Sequence, residues 1–130
     1  MFIHYLNLDQ QSALYHFSKQ LIAVDGHIDE RENLLLETIV SQCSDNANLD
    51  KSYDLVELSS LFSKHSEKMA FLLELVGVGY ADQVLKESEN DFIKHISETI
   101  GVDLSRIEEM KGWVQRQLAL VTEAQNFLEE

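Results

Sequence analysis

Apolar residues recur along this chain at spacings of three and four, and no stretch alternates convincingly with a period of two. The pattern predicts helices rather than a sheet. A first helix is expected over 9–24, with Leu14, Phe17, Leu21 and Val24 on one stripe. A second is expected over 29–43, turning Leu35, Leu36, Ile39, Val40 and Cys43 inward. The stretch "SQCSDNANLD" clusters Ser, Asp and Asn without periodicity and marks the clearest break. A third helix, open to being split, is expected over 51–63 on Leu55, Leu58, Leu61 and Phe62. A fourth covers 66–80 on Phe71, Leu72, Leu75 and Val76, and a fifth covers 87–100 on Phe92, Ile93, Ile96 and Ile100.

Gly101 supplies a stop for the fifth helix. "SRIE" at 105–108 has the spacing of a capping box, in which Ser105 accepts an early backbone N–H and Glu108 reaches back. It opens a last helix over 105–128, with Ile107, Val114, Leu118 and Val121 on one face and Trp113 as a core or groove anchor. That helix is long enough for part of it to pack across the others, or against a second copy in a homodimer.

Sliding the chain on itself by 57 positions brings out a repeat. Asp25 falls on Asp82, Ile28 on Leu85, Glu30 on Glu87 and Glu32 on Glu89. Leu35, Leu36, Ile39 and Cys43 then fall on Phe92, Ile93, Ile96 and Ile100. Each unit, over 10–43 and 67–100, is an apolar helix, an acidic turn and a second apolar helix. Two copies are too few for a solenoid. The expected fold is all-α: a compact bundle of six to seven helices, one domain over 1–130, built from two pseudo-symmetric helical-hairpin halves.

Composition narrows the function classes. Apolar residues make up 45% of the 130 positions, too many for a disordered chain. No apolar run reaches the roughly 20 residues that span a bilayer, so direct membrane insertion is not expected. The first residues lack the basic and small-residue features of a signal peptide, and Cys43 is the one cysteine, so a cytoplasmic location is expected. The formal net charge of −13 repels phosphate backbones, which argues against nucleic acid and favours cations or a basic partner protein.

The candidate chemistry sits in "AVDGHIDERE" at 23–32. Both units keep an acid pair seven positions apart, Asp25 with Glu32 and Asp82 with Glu89. Asp29 and Glu32 also have the spacing of a capping box, which Lys86 does not repeat in the second unit; nor is the turn glycine repeated, because Gly26 falls on Gln83. One reading is structural: the acids hydrogen-bond helix N-termini and lock the hairpin angle. The other is a shallow divalent-cation site formed by Asp25, Asp29, Glu32, Asp82 and Glu89, whose oxygen ligands suit Ca²⁺ or Mg²⁺ ahead of Zn²⁺. An EF-hand is excluded, because Leu36 occupies the twelfth position where a bidentate Glu is needed. His27 alone, without paired Cys, makes a poor zinc centre.

"LIAVDGHIDERENLLLETI" and "GYADQVLKESENDFIKHISETIGVD" resemble the two halves of the TerB-like tellurite-resistance family, over roughly 10–120. The resemblance implies an all-α fold of about seven helices, shared with the N-terminal domain of a membrane-anchored J-domain co-chaperone. It further implies a bacterial cytoplasmic protein linked to tellurite or general stress response, with a membrane-associated protein as a partner. Its metal-binding acids map onto Asp25, Glu32, Asp82 and Glu89. Gln83 and Lys86 depart from the pattern in the second half, and there is no J-domain to carry the co-chaperone activity.

An enzyme is not expected. Cys43 lies on an apolar stripe, and His4, His16, His65 and His95 are scattered singly, so no nucleophile has a base at useful spacing. An exposed acidic turn would not raise a carboxyl pKa by burial. The expectation is a non-enzymatic, cation-binding domain or, alternatively, a protein-interaction scaffold whose acidic pairs only cap helices.

Overall fold

The computed structural model describes residues 2–24, 26 and 30–129, and their regular structure is all helical, with no strand among them. After a 3-10 turn at Ile3–Tyr5 come α1 (Leu8–Ala23), α2 (Glu30–Gln42), α3 (Leu55–Ser59), α4 (His65–Gly79), α5 (Glu87–Ile100) and α6 (Leu104–Glu129). A shift of 57 carries α1 onto α4 and α2 onto α5. Helix α4 lies at the centre, packed on α1, α5, α6 and the opening turn. Leu14, Phe17, Leu21, Phe71, Leu72, Leu75, Ile93, Ile96 and Ile107 form the dry interior between them. Among the described residues no helix is long and apolar enough to cross a membrane.

Each first helix of a repeat starts with its third residue folded back. In α1, Asn7 Oδ1 accepts the Gln10 N–H at 2.9 Å while Gln10 Oε1 accepts the Asn7 N–H at 2.9 Å, a full capping box. In α4, Glu67 Oε1 accepts the N–H groups of Lys64 at 3.1 Å and Ser63 at 3.2 Å. The lysine ammonium cannot accept, so only the reaching-back half of the box exists there.

Several expectations at the edges of helices need correction. Val24, Val40 and Val121 were expected inward but are 40%, 41% and 49% exposed. Each sits where its helix has rotated or run past the core. The third helix is only five residues long. Asp54 and Glu57 form a capping box that starts it late, and the Ser59 and Ser60 hydroxyls bond back to the Val56 and Glu57 carbonyls where it ends. Tyr53, just before it, is buried outside any helix. Finally, α6 begins at Leu104, following Asp103, so Ser105 lies inside the first turn rather than at the cap. Glu108 does not reach back; it accepts from Lys111 Nζ at 2.9 Å. Gly101 does end α5, with φ +86° and the Val102 N–H closing onto Ser97 O at 2.9 Å.

Candidate functional site

The two corners share a backbone that their side chains conceal. Gly26 has φ +79° and its counterpart Gln83 has φ +70°. The Gly26 N–H donates to Ala23 O at 3.0 Å, and the Gln83 N–H donates to Tyr80 O at 2.8 Å, again 57 positions apart. The left-handed turn is therefore common to both units, contrary to the reading from residue type. Gly takes this conformation freely, whereas Gln pays a steric penalty for it.

Of the five acids expected at the site, Asp25 and Asp29 lie outside the described residues, as does His27. Glu32, Asp82 and Glu89 are described. Glu32 and Glu89 occupy the first turns of α2 and α5 and are each 3% exposed, which overturns the expectation of an open, solvated turn. Glu89 Oε1 accepts the Lys86 N–H at 3.1 Å. Asp82 Oδ1 accepts the Val84 N–H at 3.2 Å, and its Oδ2 lies 3.9 Å from Lys86 Nζ. The second corner thus has half of a capping box after all, made by the acid rather than by the residue at the cap.

Burial pushes the Glu89 pKa above the ordinary carboxylate value. The Lys86 N–H bond and the Lys86 charge oppose this, while the negative charges of Asp82 and Glu32 add to it. Glu32 comes from the other repeat. The structure therefore brings the second acids of both corners into one electrostatic neighbourhood, with Asp82 beside them. All the donors are carboxylate oxygens, a set that suits a hard divalent cation. Among the described residues, no three Asp, Glu, His or Cys side chains are grouped closely enough to hold a metal ion.

A second polar pair escaped the sequence reading. Gln10 and Glu67 are counterparts under the same shift, both buried, and the polar Gln10 amide favours the charged form of the Glu67 carboxylate. Burial works to raise the Glu67 pKa, but bonds from the Ser63 backbone, Gln10 and the Lys64 backbone, with the Lys64 charge, hold it below the ordinary value. Contact between a residue and its own counterpart is what an approximate two-fold axis produces. The signal was the alignment of Gln10 with Glu67 at the third position of each helix.

Among the described residues, the remaining Cys and His side chains form no cluster of three with acids. Cys43 is buried, and burial followed by the nearby Glu74 charge raises its pKa, which disfavours the thiolate. His16 is half-buried; burial lowers its pKa despite a bond with the Tyr53 backbone.

A profile described as "Tellurite resistance protein TerB" matches residues 44–112, just over half of the chain, from the loop before α3 into α6. The chain belongs to the TerB family. The match takes in the second corner, with Asp82 and Glu89, and leaves the first corner outside it. No curated protein and no solved structure matches this TerB-family chain significantly.

Proposed function

We propose that this TerB-family chain is a non-enzymatic, stress-related domain whose first acidic corner takes one divalent cation. The observation that carries the reading is the position of Lys86. At the second corner its ammonium lies 3.9 Å from Asp82 and opposes the charge that burdens Glu89. The first corner carries Asp29 at the equivalent position, an acid in place of a base, and its own Arg31 is exposed to solvent. An exogenous cation at the first corner would answer the acid that stands there in place of Lys86. Asp25, Asp29 and Glu32 are the ligands this reading assigns, with Glu89 nearby, and oxygen donors favour Ca²⁺ or Mg²⁺ over Zn²⁺.

Calorimetry with each ion tests the proposal. One equivalent is expected at modest affinity, with a melting temperature about 4 °C higher once the ion exceeds its Kd roughly tenfold. Asp25→Asn with Asp29→Asn should abolish both effects. Absence of heat and of any melting shift at about millimolar metal would sink the reading.

A second reading is favoured by the hydrogen bonds of Glu89 and Asp82 to backbone N–H groups. On it the acids only brace the corners and the domain is a scaffold for a basic partner protein. Asp25→Ala with Glu32→Ala separates the two. Lower stability together with unchanged, metal-independent titration baselines supports bracing.

A further inference from the structure

Helix α6 outruns the body. Its near half packs through Ile107, Met110 and Val114, all buried. Beyond Leu118 every described residue is exposed, including Leu120 at 62%, Val121 at 49%, Phe127 at 76% and Leu128 at 86%. At 100° per residue, Leu120, Val121, Ala124, Phe127 and Leu128 fall within one arc of about 120°. Thr122, Glu123, Gln125, Asn126 and Glu129 fill the opposite side. The segment is a fully amphipathic helix with its apolar face uncovered.

That face does not end where the body begins. Trp113 and Gln117 continue its row and line a groove of about 220 Å³ between the opening turn, α2, α4 and α6, together with Leu35, Leu73 and Leu118. The Phe2 ring lies 5.7 Å from that of Trp113, tilted by 57°, along the same wall. One chain therefore presents a convex apolar helix and a concave, mainly apolar groove, whose one lining carboxylate, Glu74, accepts the Phe2 N–H, on a single continuous surface.

We infer that this surface joins two copies of the chain, with the α6 tails antiparallel and each tail's end over the other copy's groove. A pairing centred on Val121 sets Ala124 opposite Leu118, and Leu128 opposite Val114 at the groove wall. A two-fold axis makes both contacts twice. Charge selects the occupant. From Gly112 to Leu128 the charged residues are Arg116 and Glu123, in a chain that is 25% charged with a net charge of −13. Two such molecules can approach closely only where carboxylates are sparse, and charge depletion is a property of interface cores. A basic partner would seek the carboxylates this stretch lacks. An anionic membrane would need Lys or Arg on the polar face of the tail, which has none.

The test is the mass of the 130-residue chain by light scattering and sedimentation up to about 0.1 mM. Twice the monomer mass is expected, with tighter association as salt rises from about 0.05 to about 0.5 M and screens the like charges. Leu120→Glu with Phe127→Glu should restore the monomer mass while circular dichroism and melting of the body stay unchanged. Val121→Cys in a Cys43→Ser background should cross-link the dimer on oxidation. A chain that remains monomeric throughout overturns the inference. So does a dimer that survives the Leu120→Glu, Phe127→Glu change, or one that Val121→Cys fails to cross-link.

Discussion

Gln10 sets its side-chain amide against the carboxylate of Glu67, the residue 57 positions further along that occupies the same place in the second repeat, and helps to hold that carboxyl below its ordinary pKa. The same amide nitrogen donates to Leu61 O at 2.9 Å, and the amide oxygen accepts the Asn7 N–H. One buried side chain thus ties together the starts of α1 and α4 and the loop after α3. At the other end of the hairpins, Glu32 and Glu89 are likewise counterparts, but both are acids and they repel. The two-fold relation creates one satisfied polar pair and one strained one.

Gln10→Ala should destabilise the fold by about 1–3 kcal/mol, because it leaves the Leu61 carbonyl short of a buried donor and the Asn7 N–H short of its acceptor. Urea denaturation at neutral pH measures it. A loss below a few tenths of a kcal/mol would mean that water replaces the amide without cost.

The two pairs should respond to pH with opposite sign. Glu67 has a lowered pKa, so its charged form stabilises the fold above the carboxylate range, and that contribution fades as pH falls through the folded-state value. Glu89 has a raised pKa, so its charge opposes folding at neutral pH, and protonation relieves the opposition as pH falls. At pH 7, Glu67→Gln should lower the melting temperature and Glu89→Gln should raise it; Gln keeps the carbonyl that accepts the Lys86 N–H. Both differences should shrink towards acid pH. Equal signs for the two variants would contradict the assignment.

Much of this architecture is legible in the sequence. The 57-residue shift predicts α1 with α4 and α2 with α5 to within a residue or two, because the apolar stripes of both units are intact. What periodicity cannot show is where a helix outruns its neighbours. Val121 continues the stripe of Val114 and Leu118 faithfully, yet no element lies opposite it in the monomer. Local cap motifs misled at α6, since "SRIE" matches the capping spacing while Asp103 precedes the actual start. The corner acids were found, but their burial was not. That depends on the packing of α2 against α1 and of α5 against α1, α4 and α6, a tertiary fact that no local pattern carries. Residue type also hid the shared turn, because Gln83 adopts the backbone conformation that Gly26 advertises.

That shared turn makes its own forecast. Gln83→Gly relieves a left-handed non-glycine residue and should stabilise the fold by up to about 1 kcal/mol, net of the greater freedom of glycine in the unfolded chain. Gly26→Ala has open space around its added carbon but the wrong φ, and should cost about 1 kcal/mol. Thermal melts of the two variants should move in opposite directions.

Helix α4 offers a paired control on packing. At Gly77 an added Cβ meets nothing within 4 Å, so Gly77→Ala should stabilise by about 0.5–1 kcal/mol through helix propensity. At Gly79 the same carbon would lie 2.6 Å from Leu85 Cδ1 and 3.3 Å from Ile93 Cδ1. Leu85 is half-buried and can yield in part, so Gly79→Ala should cost about 1 kcal/mol, at the low end of overpacking. Equal effects at the two sites would show that the close approach of α4 to the second corner is not as drawn.

Lys86→Asp converts the second corner into the charge pattern of the first. The substitution removes the ammonium 3.9 Å from Asp82 and adds a carboxylate where the first unit has Asp29. Without metal the variant should melt lower, since Glu89 loses an opposing charge and gains a repelling one. The exposed ion pair itself accounts for at most about 1 kcal/mol of that loss. With Ca²⁺ or Mg²⁺ present, the new acids should recruit a second equivalent and recover most of the lost melting temperature. Titration stoichiometry is the deciding measurement. Two equivalents in the variant against one in the parent would tie cation binding to the residue at this register. A variant that is destabilised yet still takes a single equivalent, or none, would show that the acid at position 29 is not what separates the two corners.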